Sequence, residues 1–230
     1  MYRVLRRYKL SNGLIKYVSL PISQSNIDLI EKNTIIHNDK KLDNNLCRAR
    51  TKIKDYILCN EFKYFITITC NNSFNRYSCD DLRRVVTNKI RYLRKKYHIT
   101  GKYILIPEKH KNGAYHLHGV LDASFDSFCY INKNGYDSCF CFDNIGFNSI
   151  EEVNSIVKIS SYITKYISKD FAIRGLGEHC YFCSRGLNKP ILIDDLVYNN
   201  SYFDNLFFSI KNDFCYVNYG YKIPVDAFLR

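Results

Sequence analysis

The sequence is defined first by what it lacks: it has no tryptophan, only 4 prolines and 10 glycines, and no long apolar run. A helix that crosses a bilayer needs about 20 consecutive apolar residues, so we predict none here. No secretory signal peptide is recognisable. We therefore expect the 10 cysteines to be reduced and cytoplasmic, with several of them filling core.

Two motifs are also missing. No glycine-rich loop ending in Lys-Ser or Lys-Thr is present, so the sequence predicts no nucleotide-driven helicase module. Cys180 and Cys183 have the spacing of zinc ligands and follow His179. No second pair of this spacing exists to complete a structural zinc site, which disfavours zinc.

Positive charge and apolar content are both abundant. The chain has 34 Lys and Arg against 22 Asp and Glu, a net charge of +12, and 46% of its residues are hydrophobic. That hydrophobic content predicts a packed core, and the length of 230 residues allows one domain with an appendage. The surplus of positive charge predicts a polyanionic partner.

Residues 103–120 predict a β-hairpin that carries two histidines. Apolar, β-prone segments flank Lys111-Asn112-Gly113, a strong turn signal because glycine accepts the positive φ of a tight turn. Side chains alternate along a strand, so His116 and His118 face the same side of the sheet.

The length of the turn decides what faces those histidines. A two-residue Asn-Gly loop would pair Lys109 with His116, whereas a three-residue loop with Gly113 in the left-handed conformation would pair Glu108 with His116. Only the second register brings a carboxylate beside both imidazoles. Two nitrogens and one hard oxygen suit Mn²⁺, Mg²⁺ or Zn²⁺. The alternative is an exposed strand face with two ordinary histidines.

The order of elements indicates an α+β fold. A helix from about residue 42 to 59 precedes a strand at Phe62–Cys70, and Ser78 begins a basic amphipathic helix with a capping box. The histidine hairpin follows. A second hairpin is predicted around Asn134-Gly135, with a strand at Cys139–Phe142. Strand, helix and two antiparallel strands predict a mostly antiparallel sheet.

A second candidate site lies on a helix that ends near residue 170. Tyr162 and Tyr166 are four residues apart and share a helix face, as do Lys165 and Lys169. A phenol titrates near pH 10, so a nucleophilic tyrosine needs a nearby cation, metal or base. The alternative is that both tyrosines are packing residues.

Together these motifs resemble the signature of HUH endonucleases, the rolling-circle replication initiators of small phages, plasmids and single-stranded DNA viruses. The signature comprises Phe65-Ile-Thr-Ile-Thr69, then Glu108 with His116-Leu-His118, then Tyr162-x-x-Lys-Tyr166-x-x-Lys. The doubled tyrosine is similar to the two-tyrosine initiators of microviruses. Family members often carry a tryptophan near the second hairpin, which this sequence lacks. Similar frames in phage and plasmid replication proteins are Cys59-Asn60, Pro107-Glu-x-His-x-x-Gly113 and Ser184-Arg-Gly-Leu187.

The resemblance implies a fold and domain limits. It implies an HUH nuclease fold, with an antiparallel RRM- or ferredoxin-like sheet and helices packed on it. We assign the nuclease domain to residues 42–190, with an N-terminal extension at 1–41. Residues 191–230 are predicted to pack on the nuclease domain.

It also implies a metal site. Glu108, His116 and His118 would hold one divalent cation, Mn²⁺ or Mg²⁺, against the scissile phosphodiester. His110 is a competing third ligand, although the three-residue loop is expected to point it further from the pair.

The tyrosines would then act as nucleophiles. The resemblance implies a 5′-phosphotyrosyl link and a free 3′-hydroxyl, with Lys165 or Lys169 stabilising charge. Both Tyr162 and Tyr166 fit Tyr-x-x-Lys. The following Lys169-Asp170 favours Tyr166 as the first nucleophile, with Tyr162 serving the second transfer.

The expected partners are single-stranded DNA, the origin hairpin, and a separate helicase and polymerase of a bacterial host, in whose cytoplasm the enzyme would act. A related transposase or relaxase, or a non-catalytic origin-binding or repressor protein, are the alternatives. The residues predicted to contact DNA are Arg83, Arg94, Lys95, Lys96 and Arg185.

Overall fold

A computed structural model of the chain describes residues 3–21, 38–169, 181–198, 210–211 and 216–221. In chain order the elements are β1 (Arg3–Lys9), β2 (Leu14–Pro21), α1 (Asn38–Cys59), β3 (Tyr64–Cys70), α2 (Cys79–Tyr97), β4 (Tyr103–Lys109), β5 (Tyr115–Leu121), β6 (Cys129–Ile131), β7 (Asp137–Cys139), β8 (Gly146–Glu152), α3 (Ile156–Thr164), α4 (Tyr166–Lys169), β9 (Phe182–Cys183), β10 (Ile191–Tyr198), β11 (Ile210–Lys211) and β12 (Tyr216–Tyr221).

The chain divides into two units. One is Arg48–Leu187, and the other combines Met1–Cys47 with Asn188–Arg230. No motif in the sequence indicates that the two ends of the chain share a unit.

A five-stranded sheet forms the centre of the unit Arg48–Leu187. Its strand order is β8-β3-β5-β4-β9, and every neighbouring pair is antiparallel. The predicted α+β class with a mostly antiparallel central sheet is therefore confirmed. β6 and β7 form a separate two-stranded hairpin in the same unit.

Helix α2 covers one face of this sheet. Ser78 begins the helix by accepting a hydrogen bond from the Asp81 amide at 3.2 Å, a cap that stabilises the helix by about 1 kcal/mol. The apolar side of α2 packs on the β3 residues Ile66 and Ile68. Each such side chain contributes about 1.5–3 kcal/mol when it is fully buried. The buried residues of that side are Leu82, Val86, Ile90 and Leu93.

The other face of the sheet carries the histidines. Side chains alternate along β3, so Thr67 and Thr69 lie opposite to the face that α2 covers. They are paired with His118 and His116 on β5. α4 lies on this second face, because its Tyr166 stacks on His118.

Two glycines shape the hairpin of β4 and β5. Gly113 has φ +85°, the left-handed conformation that the turn requires. Gly119 permits close approach of the two strands, since a Cβ there would lie 2.0 Å from the carbonyl oxygen of Ile104.

Three local predictions need correction. The strand predicted at Cys139–Phe142 is wrong beyond Cys139, because Phe140–Phe142 forms a 3₁₀ turn that buries Cys141 and Phe142. The tyrosine helix is interrupted at Lys165, which separates α3 from α4. Helix α1 begins at Asn38 rather than near residue 42.

The second unit contains its own antiparallel sheet, with strand order β10-β1-β2-β12-β11. Leu5 and Tyr17 are buried in it. Arg7 forms a two-point ion pair with Asp194 of β10, at 2.6 and 2.5 Å. Both ends of the chain thus contribute strands to one sheet.

None of the helices described is long and apolar enough to cross a membrane.

Candidate active site

The register of the β4–β5 hairpin places Glu108 beside the histidines. Glu108 pairs with His116, and Ile106 pairs with His118. The loop closes through the His110 amide, which donates to the carbonyl of Ala114 at 2.9 Å. The predicted three-residue loop is confirmed.

Two threonines of β3 hold the imidazole rings. The Thr67 hydroxyl lies 3.1 Å from Nδ1 of His118, and the Thr69 hydroxyl lies 3.3 Å from Nδ1 of His116. A hydrogen bond at one ring nitrogen fixes the orientation of the ring and decides what the other nitrogen can bind. With both Nδ1 atoms engaged, Nε2 is the nitrogen left for Glu108 or for a cation.

Glu108 and His118 are directly bonded. His118 Nε2 lies 2.8 Å from the Glu108 carboxylate, and His118 is buried. Burial lowers the pKa of His118, although the Glu108 charge opposes this effect. Burial, followed by the neighbouring His110 and His118, lowers the pKa of His116 to about 4. Both rings are therefore neutral at physiological pH, the state in which imidazole binds metal.

His110 is closer to this cluster than we predicted. Its ring stacks on His116 with 3.7 Å between the ring centroids. The expectation that the hairpin register would point His110 away was wrong, because residues 108 and 110 share one strand face and the turn folds back over it. His110 remains a competing ligand beside Glu108.

The two tyrosines lie over the same face. The Tyr166 ring stacks on His118, with a centroid distance of 4.1 Å and an angle of 9° between the planes. Its hydroxyl donates to the Tyr162 hydroxyl at 2.5 Å. Tyr162 packs edge-on against Phe65 of β3. Burial, the bond from Tyr162 and the Glu108 charge together raise the pKa of Tyr166.

The structure separates the roles of the two predicted lysines. The Lys165 ammonium lies 6.0 Å from the centroid of the Tyr162 ring, within range of a cation–π contact. It is thus beside Tyr162 rather than Tyr166. The side chain of Lys169 lies outside what the structure describes, as do His179 and Cys180.

Arg76, in the loop between β3 and α2, was missed by the sequence reasoning. Its guanidinium donates to the Cys70 carbonyl and to the Tyr77 hydroxyl, both at 3.3 Å, and its charge acts on His116. Its Nε is buried without a hydrogen-bond partner among the described residues. One arginine between a strand and a helix carries no motif, so only the fold reveals its position near the histidines.

The donor set suits a divalent cation but is not preassembled around one. Within the part of the chain that the structure describes, no three His, Cys, Asp or Glu side chains are arranged to hold a metal ion. The Glu108 carboxylate and His118 Nε2 satisfy each other instead. Holding a cation requires that bond to be exchanged for bonds to the ion, and one carboxylate with two imidazoles is a suitable set for it.

Comparison with known proteins gives one match. Residues 63–171, just under half of the chain, match the family model for replication-associated proteins of the ORF2 type. This similarity supports a role as a replication initiator. No curated protein and no solved structure matches the chain. The matched segment runs from the start of β3 past α4, so it includes Glu108, both histidines and both tyrosines.

The cations predicted to bind DNA do not gather at this site. Those of α2 lie on the helix that covers the opposite sheet face. Arg83 pairs with Asp80, and Arg94 donates to the carbonyls of Thr100 and Gly101. The Lys96 ammonium lies over the rings of its helix neighbours Tyr92 and Tyr97. Lys95 and Arg185 are exposed.

The Ser184-Arg185 motif has a structural part. The Ser184 hydroxyl accepts from the Tyr103 amide at 3.2 Å and is buried. It thereby ties the turn after β9 to the start of β4, while Arg185 projects into solvent.

Proposed function

We propose that the protein is a metal-dependent DNA nicking and joining enzyme that starts rolling-circle replication. One observation carries the proposal: the Tyr166 phenol lies flat against His118, whose Nε2 meets Glu108. A candidate nucleophile and a candidate metal-ligand cluster thus share one sheet face. The similarity to replication-associated proteins supports the same role.

The first step would be attack by Tyr166 on the scissile phosphodiester. The phenol oxygen forms a bond to phosphorus, the bond from phosphorus to the 3′ oxygen breaks, and that oxygen takes up a proton. The products are a 5′-phosphotyrosyl link and a 3′-hydroxyl that can prime synthesis.

The surroundings of Tyr166 fit this step. Its hydroxyl donates to Tyr162, so the phenolic proton already points towards a second hydroxyl that can pass it on. The raised pKa of Tyr166 means that the phenol needs a positive charge nearby before it can attack. Glu108, His116 and His118 would hold a divalent cation, which would act as a Lewis acid on a phosphate oxygen.

Joining would use Tyr162. Its oxygen lies 2.5 Å from that of Tyr166, so either oxygen can reach one phosphate with a small movement of the DNA. Tyr162 is 43% exposed and has Lys165 beside its ring. An unlinked Tyr162 can therefore take the second strand while Tyr166 is still joined to the first. A separate host helicase and polymerase would open and copy the DNA in the bacterial cytoplasm.

The deciding experiment traps the covalent product. The protein is incubated with end-labelled single-stranded origin oligonucleotides and Mn²⁺ or Mg²⁺, then run on a denaturing gel. We expect a protein–DNA adduct that EDTA abolishes, that Tyr166→Phe loses, and that maps to the peptide containing Tyr166. In Tyr162→Phe, first nicking should survive and joining should fail. No adduct under any metal condition would contradict the proposal.

The second candidate function is a non-catalytic origin-binding protein or repressor. The closed Glu108–His118 bond favours it, since that pair is satisfied without a metal. Such a protein would bind origin DNA equally well in EDTA and form no adduct. A transposase or relaxase of the same chemistry would differ in its DNA site and not in the adduct.

A further inference from the structure

An exposed pair of aromatic rings extends the row of the candidate site across the sheet. Thr69 of β3 pairs with His116 on one side and with Phe147 of β8 on the other. Directly paired residues of an antiparallel sheet face the same side. Phe147 therefore lies on the histidine face, two strands from His116. Two strand spacings amount to roughly 10 Å.

Phe147 is held ready to contact a ligand. Its ring is 49% exposed, and the ring of Tyr136 meets it edge-on at 5.8 Å. Tyr136 itself is 56% exposed and belongs to the β6–β7 hairpin segment. An exposed phenylalanine beside an exposed tyrosine presents a broad aromatic surface to solvent.

The hairpin that carries Tyr136 is fixed to the sheet. The buried Asn148 of β8 accepts from the Cys139 amide at 2.7 Å and donates to the Asp143 carboxylate at 2.9 Å. The Ser138 hydroxyl donates to the Asn148 carbonyl at 2.8 Å. Asp143 also accepts from the Tyr130 hydroxyl. These bonds use the carboxylate and the amide, and they leave the rings as the surface offered to a ligand.

Between the hairpin and β8 is an open groove of about 470 Å³, lined in part by Tyr130, Lys133, Asn134 and Phe147. That volume is in the range of small-ligand sites. Lys133 and Asn134 are exposed at the hairpin turn. Rings with a lysine at the rim are the features that bind single strands through base stacking and phosphate contact.

We propose that Phe147, with Tyr136 beside it, stacks a base of the single-stranded DNA that flanks the scissile phosphate. This inference rests on the proposed function for its choice of ligand. The roughly 10 Å from His116 corresponds to about three nucleotides at the B-form rise of ~3.4 Å, and to fewer in an extended strand. The net charge of +12 favours the same polyanion.

The absence of tryptophan makes a direct test available. Phe147→Trp introduces a single fluorophore, and its emission should be quenched when an oligonucleotide base stacks on it. The matched control is Phe140→Trp. Phe140 is 45% exposed but packs on Phe128, which belongs to the core under α2. Quenching of Phe147→Trp alone supports the inference, and equal or absent quenching of both overturns it.

Affinity provides the second readout. Binding of a fluorescein-labelled oligonucleotide is measured by anisotropy in EDTA, so that no cleavage is needed. Phe147→Ala should weaken binding roughly tenfold. An oligonucleotide with an abasic site at each position in turn should lose this difference at one or two neighbouring positions, where the stacked base is missing. Unchanged affinity, or a changed mass of the free protein in sedimentation, would show that the rings serve another purpose.

The two proposals fail separately. A protein that forms the adduct but shows no effect at Phe147 contradicts the stacking inference only. A protein whose Phe147→Trp emission is quenched by single-stranded DNA, but which never forms an adduct, contradicts only the nicking proposal.

Discussion

At the scale of single residues, the histidines depend on the strand beside them. Thr67 and Thr69 bind the Nδ1 atoms of the two rings. In the sequence these threonines are only the polar half of an alternating strand. Their partners become known once β3 is paired with β5 in register.

Thr67→Val tests whether this hydrogen bond matters for metal binding. Valine has the shape of threonine but no hydroxyl, so the His118 ring keeps its packing and loses its anchor. We expect the Mn²⁺ concentration that gives half-maximal nicking to rise roughly tenfold or more, with activity recovered at high Mn²⁺. Thr67→Ser should behave as wild type.

The control for this change is Ser149→Ala, because Ser149 pairs with Thr67 from the other side. A similar loss in Ser149→Ala, or no loss in Thr67→Val, would show that the hydroxyl does not orient the ring.

At the scale of elements, the hairpin of β4 and β5 was predictable because its determinants are local. The Lys111–Gly113 turn sets the loop length, and strand alternation then determines that Glu108 and the histidines share a face. The contacts that involve other elements were not predictable in this way. The stacking of Tyr166 on His118 depends on how α4 meets the sheet.

The errors have the same origin. Residues Phe140–Phe142 have an apolar pattern that fits a strand, but they fold as a 3₁₀ turn that buries Phe142. A short apolar run cannot be assigned by periodicity alone, and tertiary packing decides it. The break at Lys165 and the stacking of His110 on His116 likewise depend on neighbours distant from the local pattern.

Gly119→Ala tests how closely the hairpin strands must approach. The added methyl group would lie 2.0 Å from the Ile104 carbonyl oxygen and 2.9 Å from the Leu105 Cα, and backbone atoms cannot move aside as a side chain can. We expect the free energy of unfolding to fall by about 3 kcal/mol or more. Urea unfolding followed by circular dichroism measures this.

Gly220→Ala is the matched control for this change. A Cβ at Gly220 of β12 has no atom within 4 Å, so its free energy of unfolding should change little. Equal effects of the two substitutions would mean that close approach at Gly119 is not the cause.

At the scale of the whole molecule, the thiols are protected by burial. The eight cysteines that the structure describes are all free. Burial raises the pKa of Cys70 to about 12 and that of Cys129 to about 11. Alkylation by iodoacetamide at pH 8 should therefore be slow in the folded protein and fast in urea, as read by peptide mass spectrometry.

The same shifts make stability depend on pH. Above the ordinary thiol pKa of 9, the unfolded chain releases these protons while the folded chain retains them. The free energy of unfolding should then fall as pH rises from 9 towards 11 and 12. Rapid alkylation of Cys70 in the folded protein would contradict its burial.

The central sheet also separates two sources of positive charge. Arg76 lies near His116 on the face that carries the tyrosines, whereas Lys95 and Lys96 lie on α2, across the sheet. A short oligonucleotide at the tyrosines has no reason to reach α2, but a longer origin hairpin can extend around the edge of the sheet. Charge on each face should therefore contribute to different parts of DNA binding.

The double substitution Lys95→Ala/Lys96→Ala should leave the cleavage of a short oligonucleotide within about twofold of wild type. It should weaken binding of a long origin hairpin and reduce the slope of log affinity against log salt by about 0.7–0.9 for each phosphate that the protein no longer neutralises. Arg76→Gln is the contrast, and it should weaken cleavage of the short and the long DNA alike. The measurements are anisotropy titrations at several salt concentrations and single-turnover nicking rates. If the α2 substitutions slow short-oligonucleotide cleavage as much as Arg76→Gln does, then α2 binds the substrate at the scissile phosphate despite its place across the sheet.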